Sequence, residues 1–218
     1  MTPRKTRVFL VDDHPLVREW LSNLLQHSDD LFVSGSSENG AIGLSTMLAD
    51  PPDVVIVDLA LQSSSGLDLI KDLAQHLPAV RVIVLSMHEE IYYVERAVRA
   101  GARGYVTKRE STEQIVEAVR AVISGQFFAS RPILARLAER LVGAATTGSV
   151  ESLSDRELEV FGRIGSGQST RHIADDLNVS IKTVQAYCAR IKEKLGHGDG
   201  LELMRAAVRW VDLRDRTV

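Results

Sequence analysis

The stretch Asp53-Val54-Val55-Ile56-Val57-Asp58 predicts a buried strand that ends in a carboxylate. Its four consecutive apolar residues do not alternate with polar ones, which is typical of a strand buried on both faces of a parallel sheet. Open α/β folds bind ligands at the carboxyl edge of such a sheet, so Asp58 is expected at a ligand site. A loop of polar and small residues follows, from Gln62 to Gly66. The N-terminal half of the chain is therefore interpreted as a scaffold around Asp58.

Composition limits the classes to which the chain can belong. Its 218 residues suit one large domain or two small ones, and the 44% hydrophobic content is ordinary for a globular protein. The single cysteine, Cys188, excludes an intramolecular disulfide. No apolar run approaches the roughly 18 residues needed to span a bilayer, and Met1 to Lys5 leads into a strand rather than a signal peptide. We expect a cytoplasmic protein with no membrane partner.

Strand and helix patterns alternate five times between residues 7 and 125. Such alternation predicts right-handed crossovers and an α/β fold with a doubly wound parallel sheet of five strands, in the flavodoxin-like order 2-1-3-4-5. The first and third strands are neighbours in that order, so Asp12, Asp13 and Asp58 converge on one edge. Ser86 and Lys108 close the fourth and fifth strands at the same edge. The predicted strands are 7–11, 31–36, 54–58, 80–86 and 101–108.

The remaining residues predict a linker and a second, smaller all-α domain. We place the first domain at residues 1–125, the linker at 126–152 and the second domain at 153–218. Within the linker, residues 132–142 have the spacing of a short amphipathic helix, and residues 143–149 are small and polar. Four helical segments follow at about 155–166, 169–177, 181–195 and 200–213, with start signals at Ser154 and Ser180. Short turns between short helices favour a four-helix helix-turn-helix bundle.

The three carboxylates at one strand edge would repel each other unless a cation lay among them. Oxygen ligands with open positions suit Mg²⁺, which accepts a phosphate as a further ligand. Lys108 could pair with a carboxylate or with phosphoryl oxygens, and Ser86 adds a hydroxyl donor. Such a site would let a carboxylate accept a phosphoryl group. The ordinary alternative for each Asp taken singly is a helix cap or turn former, and His14 is interpreted as a surface or capping residue.

These positions resemble the receiver domains of bacterial two-component response regulators over residues 6–125. The resemblance implies that Asp58 is the phosphoacceptor, that a sensor histidine kinase or another phosphodonor supplies the group, and that the domain catalyses its own phosphorylation and dephosphorylation. It also implies that Tyr105, three residues before Lys108, turns inward on phosphorylation as a switch with Ser86; the alternative for Tyr105 is an ordinary core or edge aromatic. The implied Mg²⁺ ligands are Asp12, Asp13, Asp58 and the Ala60 carbonyl.

The segment from Ile181 to Leu195 has two different faces. Val184, Cys188, Ile191 and Leu195 form one apolar stripe, whereas the opposite side carries small, amide-bearing and basic residues. Residues 180–195 contain four Lys and Arg against one Asp or Glu, although residues 151–218 are balanced at 11 against 11. Glutamine can contact adenine, alanine the thymine methyl, and basic residues the phosphates. This face is expected to enter the major groove of double-stranded promoter DNA.

The motifs Leu153 to Val160, Gly167 to Ala174, Val179 to Val184 and Lys192 to Gly196 resemble the DNA-binding domain of the NarL/FixJ/LuxR class, over residues 152–215. The resemblance makes 181–195 the recognition helix. The implied DNA-binding residues are Lys182, Thr183, Gln185, Ala186, Ala189, Arg190 and Lys192. The last helix would supply a dimer face, at Leu201, Met204 and Val208, with core packing as the plain alternative for that helix.

The sequence therefore predicts a phosphorylation-regulated transcription regulator that dimerises when activated. One alternative is a constitutive DNA-binding protein whose first domain only binds a partner or dimerises. A second alternative is a module that recruits RNA polymerase. The polymerase is also a candidate partner under the main hypothesis. A third alternative is an enzyme with a small-molecule product. The sequence does not favour it, because no group of candidate catalytic residues occurs outside the first domain.

Overall fold

The computed structural model describes residues 4–61, 65–87, 91–142 and 150–215. The chain divides into two compact units, Met1–Val142 and Gly143–Val218, which are described separately. The predicted loop residues 62–64 and the small, polar linker residues 143–149 lie outside the described part of the chain.

The first unit is an α/β fold in which strands and helices alternate as the sequence pattern predicts. Apolar runs bounded by Gly, Pro and polar turns become strands, and segments with 3-4 apolar spacing become helices. The strands are β1 Thr6–Val11, β2 Leu31–Ser37, β3 Val54–Asp58, β4 Arg81–Ser86, β5 Gly104–Thr107 and β6 Phe128–Ala129. The helices are α1 Pro15–Gln26, α2 Gly40–Ala49, α3 Gly66–His76, α4 Ile91–Ala100, α5 Thr112–Ile123 and α6 Arg131–Val142.

The sheet is parallel throughout, with the strand order β2-β1-β3-β4-β5-β6. This confirms the predicted order of the first five strands. Alternate strand residues such as Val8 and Leu10 pack under α1 and α5, whereas Phe9 and Val11 lie under α2, where Gly43 approaches them closely. Because both faces are covered, all five residues of β3 are buried, as the unbroken apolar run predicts.

The prediction of five strands was one strand short. Phe128 and Ala129, which we assigned to the linker, pair with Gly104 and Tyr105 and close the β5 edge of the sheet. The Phe128 amide also donates to the Arg103 carbonyl at 3.1 Å. A two-residue strand is too short to produce a period, and it forms because it satisfies the exposed edge of β5. The helix predicted at 132–142 is present as α6, and it packs against α4 with its Ile133 side chain buried.

The second unit is the predicted bundle of short helices. Its helices are α7 Asp155–Gly165, α8 Thr170–Asp176, α9 Ile181–Leu195 and α10 Gly200–Asp215, preceded by a 3-10 turn at Val150–Ser152. The Ser154, Ser169 and Ser180 side chains accept hydrogen bonds from amides three residues further on, so these serines begin α7, α8 and α9. Gly196 ends α9 in the left-handed conformation, at φ 71°.

A buried carboxylate joins two helices of this bundle. Glu157 accepts hydrogen bonds from the Ser154 amide at 2.7 Å and from the Lys194 ammonium at 2.6 Å. Burial opposes the charged form of Glu157, but the Lys194 and Ser154 hydrogen bonds outweigh it and lower its pKa. Since α7 carries Glu157 and α9 carries Lys194, this pair orients α9 within the bundle.

No helix in the described parts of the chain is both long and apolar enough to cross a bilayer.

Candidate functional site

Two buried carboxylates lie at the carboxyl edge of the sheet, where the sequence predicts a site. Asp58 is the last residue of β3, and Asp12 directly follows β1. The two strands are neighbours, with Val11 opposite Val57, so the carboxylates meet at the same edge. Both residues are 2% exposed, which is unusual for aspartate and requires charged or hydrogen-bonding partners.

Lys108 bridges these two carboxylates. Its ammonium lies 2.8 Å from Asp12 Oδ2 and 2.7 Å from Asp58 Oδ2. The Lys108 amide donates to the Ser86 carbonyl at 2.8 Å, which fixes the start of the lysine just beyond β5. The predicted convergence of Asp12, Asp58 and Lys108 is therefore found in the structure.

The ionisation of this cluster is set by burial and by the charges within it. Burial raises the pKa of Asp58, and the nearby Asp12 raises it further, although Lys108 acts in the opposite direction. Burial also opposes the charge on Lys108, but Asp58 and Asp12 together outweigh this effect and raise the pKa of Lys108. A further cation at this site would favour the ionised form of Asp58.

Asp13 and His14 complete the cluster. One ligand atom from each of Asp12, Asp13, His14 and Asp58 can be chosen so that all lie within 4.8 Å of one another. His14 Nδ1 lies 2.7 Å from Asp13 Oδ1 and 3.3 Å from Asp12 Oδ1. Three carboxylates in one group supply the hard oxygen ligands that Mg²⁺ prefers. The donor set therefore fits a magnesium ion, with His14 at its exposed side.

The turn after Asp58 is held by hydrogen bonds from two backbone amides. The Ala60 amide donates to Asp58 Oδ1 at 3.1 Å, and the Gly66 amide donates to the Leu59 carbonyl at 3.3 Å. A β-carbon on Gly66 would lie 2.2 Å from the Asp58 carbonyl oxygen and 2.7 Å from Leu59 Cα. Because both neighbours are backbone atoms, only glycine lets α3 begin this close to the turn.

Gly66→Ala is therefore expected to lower the free energy of unfolding of the first unit by about 1–3 kcal/mol, because the turn or α3 must move. Circular dichroism during urea unfolding measures this loss. The matched control is Gly200→Ala, since a β-carbon there would meet nothing within 4 Å. Equal stability of the Gly66 variant and wild type would show that the turn accommodates a β-carbon at this position.

Ser86 and Tyr105 are buried in the neighbouring strands. Ser86 is the last residue of β4, and Tyr105 is fully buried in β5 between Val84 of β4 and Ala129 of β6. Ser86 therefore lies at the same sheet edge as Asp58, whereas Tyr105 lies two residues before the end of its strand. Tyr105 is thus already inside the fold in this structure, beside the strand β6 that the sequence pattern missed, and an inward turn would require a second, outward position of its side chain.

The second unit exposes one face of α9. Val184 and Ile191 of the apolar stripe are buried, whereas Cys188 and Leu195 are half-buried, and burial raises the pKa of the Cys188 thiol. Five of the predicted DNA-binding residues are exposed, and the other two, Thr183 and Lys192, are half-buried. The exposed ones are Lys182, Gln185, Ala186, Ala189 and Arg190. The face therefore combines small side chains, one amide and positive charge, which suits major-groove contact.

Comparison with known families matches both units. The family "Response regulator receiver domain" matches residues 8–120, and "Bacterial regulatory proteins, luxR family" matches residues 151–207. The chain belongs to the response regulators of the NarL/FixJ/LuxR class. Its order of receiver and LuxR-type domains makes it a phosphorylation-regulated, DNA-binding transcription regulator.

Similar proteins match this response regulator over nearly its whole length. The transcriptional regulatory protein MctR of Rhizobium johnstonii is 34% identical over 95% of this chain and 96% of its own. The response regulator UvrY of Escherichia coli O6:H1 is 34% identical over 93% of each chain. The structure of RcsB from Salmonella enterica serovar Typhimurium, bound to promoter DNA with the phosphomimetic BeF3−, is 25% identical. It covers 94% of this chain and 98% of its own, with a TM-score of 0.65.

Two residues of this response regulator reach the acidic site although sequence reasoning did not place them there. His14 is an exposed residue at the N-cap position of α1, as predicted; its side chain makes no cap hydrogen bond, and its ring lies against Asp12 and Asp13. Arg18 donates from Nη1 to the Asp12 carbonyl at 2.6 Å. The available signal was position, since Arg18 lies one helical turn after His14 and therefore faces back toward the acidic pair.

Proposed function

We propose that phosphorylation of Asp58 controls dimerisation and DNA binding by this response regulator. The observation that carries the proposal is the group of three carboxylates, Asp12, Asp13 and Asp58, beside an ammonium that contacts two of them. A buried carboxylate nucleophile, further metal ligands and a neutralising lysine are the parts that phosphoryl transfer to a carboxylate requires.

In the proposed reaction, an Asp58 carboxylate oxygen attacks the phosphorus of the donor. The new O–P bond forms as the bond from phosphorus to the leaving group breaks, and the leaving group takes that electron pair and a proton. A sensor histidine kinase carrying phosphohistidine, or a small phosphodonor, supplies the group. Lys108 neutralises charge on the transferred phosphoryl oxygens, and the Ser86 hydroxyl donates to one of them.

Asp12, Asp13, Asp58 and the Ala60 carbonyl would hold Mg²⁺. When bound, the ion neutralises the charge that develops on the phosphoryl oxygens. In hydrolysis, water attacks the phosphorus, the bond from phosphorus to the Asp58 oxygen breaks, and inorganic phosphate leaves, so the receiver would catalyse both its own phosphorylation and its own dephosphorylation. Asp58 must be ionised to attack; burial raises its pKa and so opposes that form, whereas the Lys108 ammonium favours it.

Ser86 and Tyr105 would convert the phosphoryl group into a change of conformation. Tyr105 lies in β5, which pairs with the linker strand β6. Ser86 ends β4, the strand that precedes α4, and α4 packs against the linker helix α6. A ligand shifts an equilibrium only by its different affinity for the two states, and a Ser86–phosphoryl hydrogen bond supplies that difference. The linker residues 126–152 would then carry the shift out of the receiver.

The exposed face of α9 would enter the major groove of double-stranded promoter DNA. Gln185, Ala186 and Ala189 would face the bases, and Thr183, Arg190 and Lys192 the backbone, with Lys182 adding a phosphate contact. Leu201 and Met204 of α10 are about half exposed and Val208 is half-buried, which supports a homodimer face there, while Leu203 and Ala207 of the same helix are buried in the bundle. RNA polymerase remains a candidate partner on the promoter.

The test measures mass by light scattering during size exclusion, with and without Mg²⁺ and beryllofluoride. Wild type is expected to become a dimer when both are added, and Asp58→Asn is expected to stay unchanged. The same samples are then tested for binding to duplex DNA in the absence of polymerase. A wild-type protein that is dimeric and binds DNA equally well under all conditions would instead establish the constitutive alternative, and binding only with polymerase would establish the recruiting module.

A further inference from the structure

We propose that Arg18 is a positioning residue that holds the Asp12–Asp13 peptide in the orientation needed for metal binding. The proposal rests on the magnesium site of the proposed function and adds a residue that touches neither metal nor phosphoryl group. Its basis is the hydrogen bond from Arg18 Nη1 to the Asp12 carbonyl oxygen at 2.6 Å.

The carbonyl that Arg18 contacts belongs to the peptide that links the two predicted metal ligands. A peptide group is planar, so the direction of the Asp12 carbonyl sets the direction in which the Asp13 backbone leaves the strand. The two carboxylates can approach one cation together only if this plane is oriented correctly. Arg18 therefore acts on the relative position of Asp12 and Asp13, rather than on either carboxylate alone.

The other atoms of Asp12 are already held by different partners. Its amide donates to the Ser37 carbonyl at 3.2 Å, Oδ1 accepts from the His14 amide at 2.8 Å, and Oδ2 accepts from Lys108 at 2.8 Å. These contacts fix the strand end and the Asp12 side chain. The contact from Arg18 acts directly on the carbonyl of the peptide that follows.

Arg18 is itself well placed to act as a fixed support. It lies in the first turn of α1, and its side chain is only 18% exposed. Its second nitrogen lies 3.9 Å from Glu38 Oε2, a loose ion pair with a side chain that is 72% exposed. A partly buried guanidinium loses less rotamer freedom on binding than an exposed one, so it can hold the carbonyl through the reaction.

Geometry matters here because Mg²⁺ requires a nearly ideal octahedral arrangement and tolerates displaced ligands poorly. Removing a group that orients metal ligands typically lowers metal affinity by about 10–100-fold. Arg18 also places a positive charge beside the cluster, which by itself would weaken the binding of a cation. Loss of the charge alone should therefore strengthen metal binding, whereas loss of the positioning contact should weaken it, so the two effects have opposite signs.

The experiment measures Mn²⁺ binding to the full chain by electron paramagnetic resonance of the free ion, with Mg²⁺ as competitor. Arg18→Ala is expected to weaken binding by about tenfold, and Arg18→Lys, which retains the charge and one donor, to recover part of it. Glu38→Gln is the matched control, since it removes only the loose ion pair and should bind as wild type. Melting of each metal-free variant is measured in parallel.

The outcomes separate this inference from the proposed function. If wild type binds Mn²⁺ and Asp12→Asn does not, the magnesium site stands. Arg18→Ala with unchanged or tighter binding then overturns the positioning role alone. If Arg18→Ala melts earlier, the comparison is made at a temperature where it is fully folded, and only weaker binding by the folded protein supports the proposal. Failure of wild type itself to bind Mn²⁺ or Mg²⁺ overturns the proposed metal site and this inference together.

Discussion

Lys108→Ala is expected to lower the free energy of unfolding of the metal-free protein by about 3–5 kcal/mol, because it leaves buried carboxylates without their ammonium partner. The Lys108 ammonium contacts both Asp12 and Asp58, and each of those residues is 2% exposed. Without it, Asp58 is expected to take up a proton at a higher pH, since the charge that opposes this is gone. Urea unfolding followed by circular dichroism measures the loss.

Mg²⁺ is expected to restore part of this stability, and more in the variant than in wild type. A cation bound by Asp12, Asp13 and Asp58 replaces the lost positive charge, and a ligand that binds only the folded state stabilises it. Lys71→Ala is the control, because Lys71 pairs with Asp68 at 3.2 Å on the surface and should change stability by less than about 0.5 kcal/mol. Full stability of metal-free Lys108→Ala would show that the acidic cluster does not depend on the lysine.

Ala189→Glu is expected to reduce affinity for duplex DNA by more than about 100-fold. Ala189 is exposed in the middle of α9, on the face that carries Lys182, Gln185 and Arg190. A glutamate there would place a negative charge against the phosphates and bases, and like charges brought together at an interface cost several kcal/mol. Glutamate is also a good helix former, so α9 itself should persist.

Fluorescence anisotropy of duplex sites selected by the wild-type protein from a random pool measures this loss. Ala41→Glu makes the same charge change at an exposed position near the start of α2, and it should bind DNA as wild type. Circular dichroism of both variants checks that each remains folded. DNA binding by folded Ala189→Glu at wild-type affinity would mean that another surface of the second unit contacts DNA.

These two substitutions probe different ends of the same proposed switch. Lys108→Ala acts within the first unit, whereas Ala189→Glu acts within the second. A protein whose receiver responds to beryllofluoride after Ala189→Glu, but which no longer binds DNA, would show that dimerisation and DNA contact are separable steps.

Local sequence patterns were sufficient for most elements of the fold. The unbroken apolar run before Asp58 predicts a strand covered on both faces, and the covering helices follow from 3-4 spacing. The alternation of strands and helices predicted a parallel sheet with right-handed crossovers, and the order of its first five strands was taken from the flavodoxin-like form of the doubly wound fold. The strand at Phe128 and Ala129 was not predicted, because two residues are too few to show a periodic pattern. Their pairing is decided by the free edge of β5, which is created only when the sheet assembles.

The candidate site likewise combines contacts that the sequence predicts with contacts that only the tertiary structure decides. The proximity of Asp12, Asp58 and Lys108 could be predicted from the sequence because parallel strands end at one edge of the sheet. The structure confirms it through two ion pairs. The contacts of His14 and Arg18 with the acidic residues were not predicted. The four-residue spacing puts Arg18 on the same side of α1 as His14, but the contacts themselves depend on the angle at which α1 leaves the β1 turn. The closeness of Gly66 to Asp58 likewise depends on where α3 begins in space.

By itself, the sequence determined which chemical groups this response regulator carries and on which kind of element each one lies. Periodicity is a local property, so strands, helices, the acidic strand ends and the polar face of α9 could be read without coordinates. Tertiary structure alone decided how the linker docks through β6 and α6, that Tyr105 is buried beside it, and that Arg18 contacts the Asp12 carbonyl. Those features join residues distant in sequence or depend on angles between elements, and packing energy, rather than local propensity, selects them.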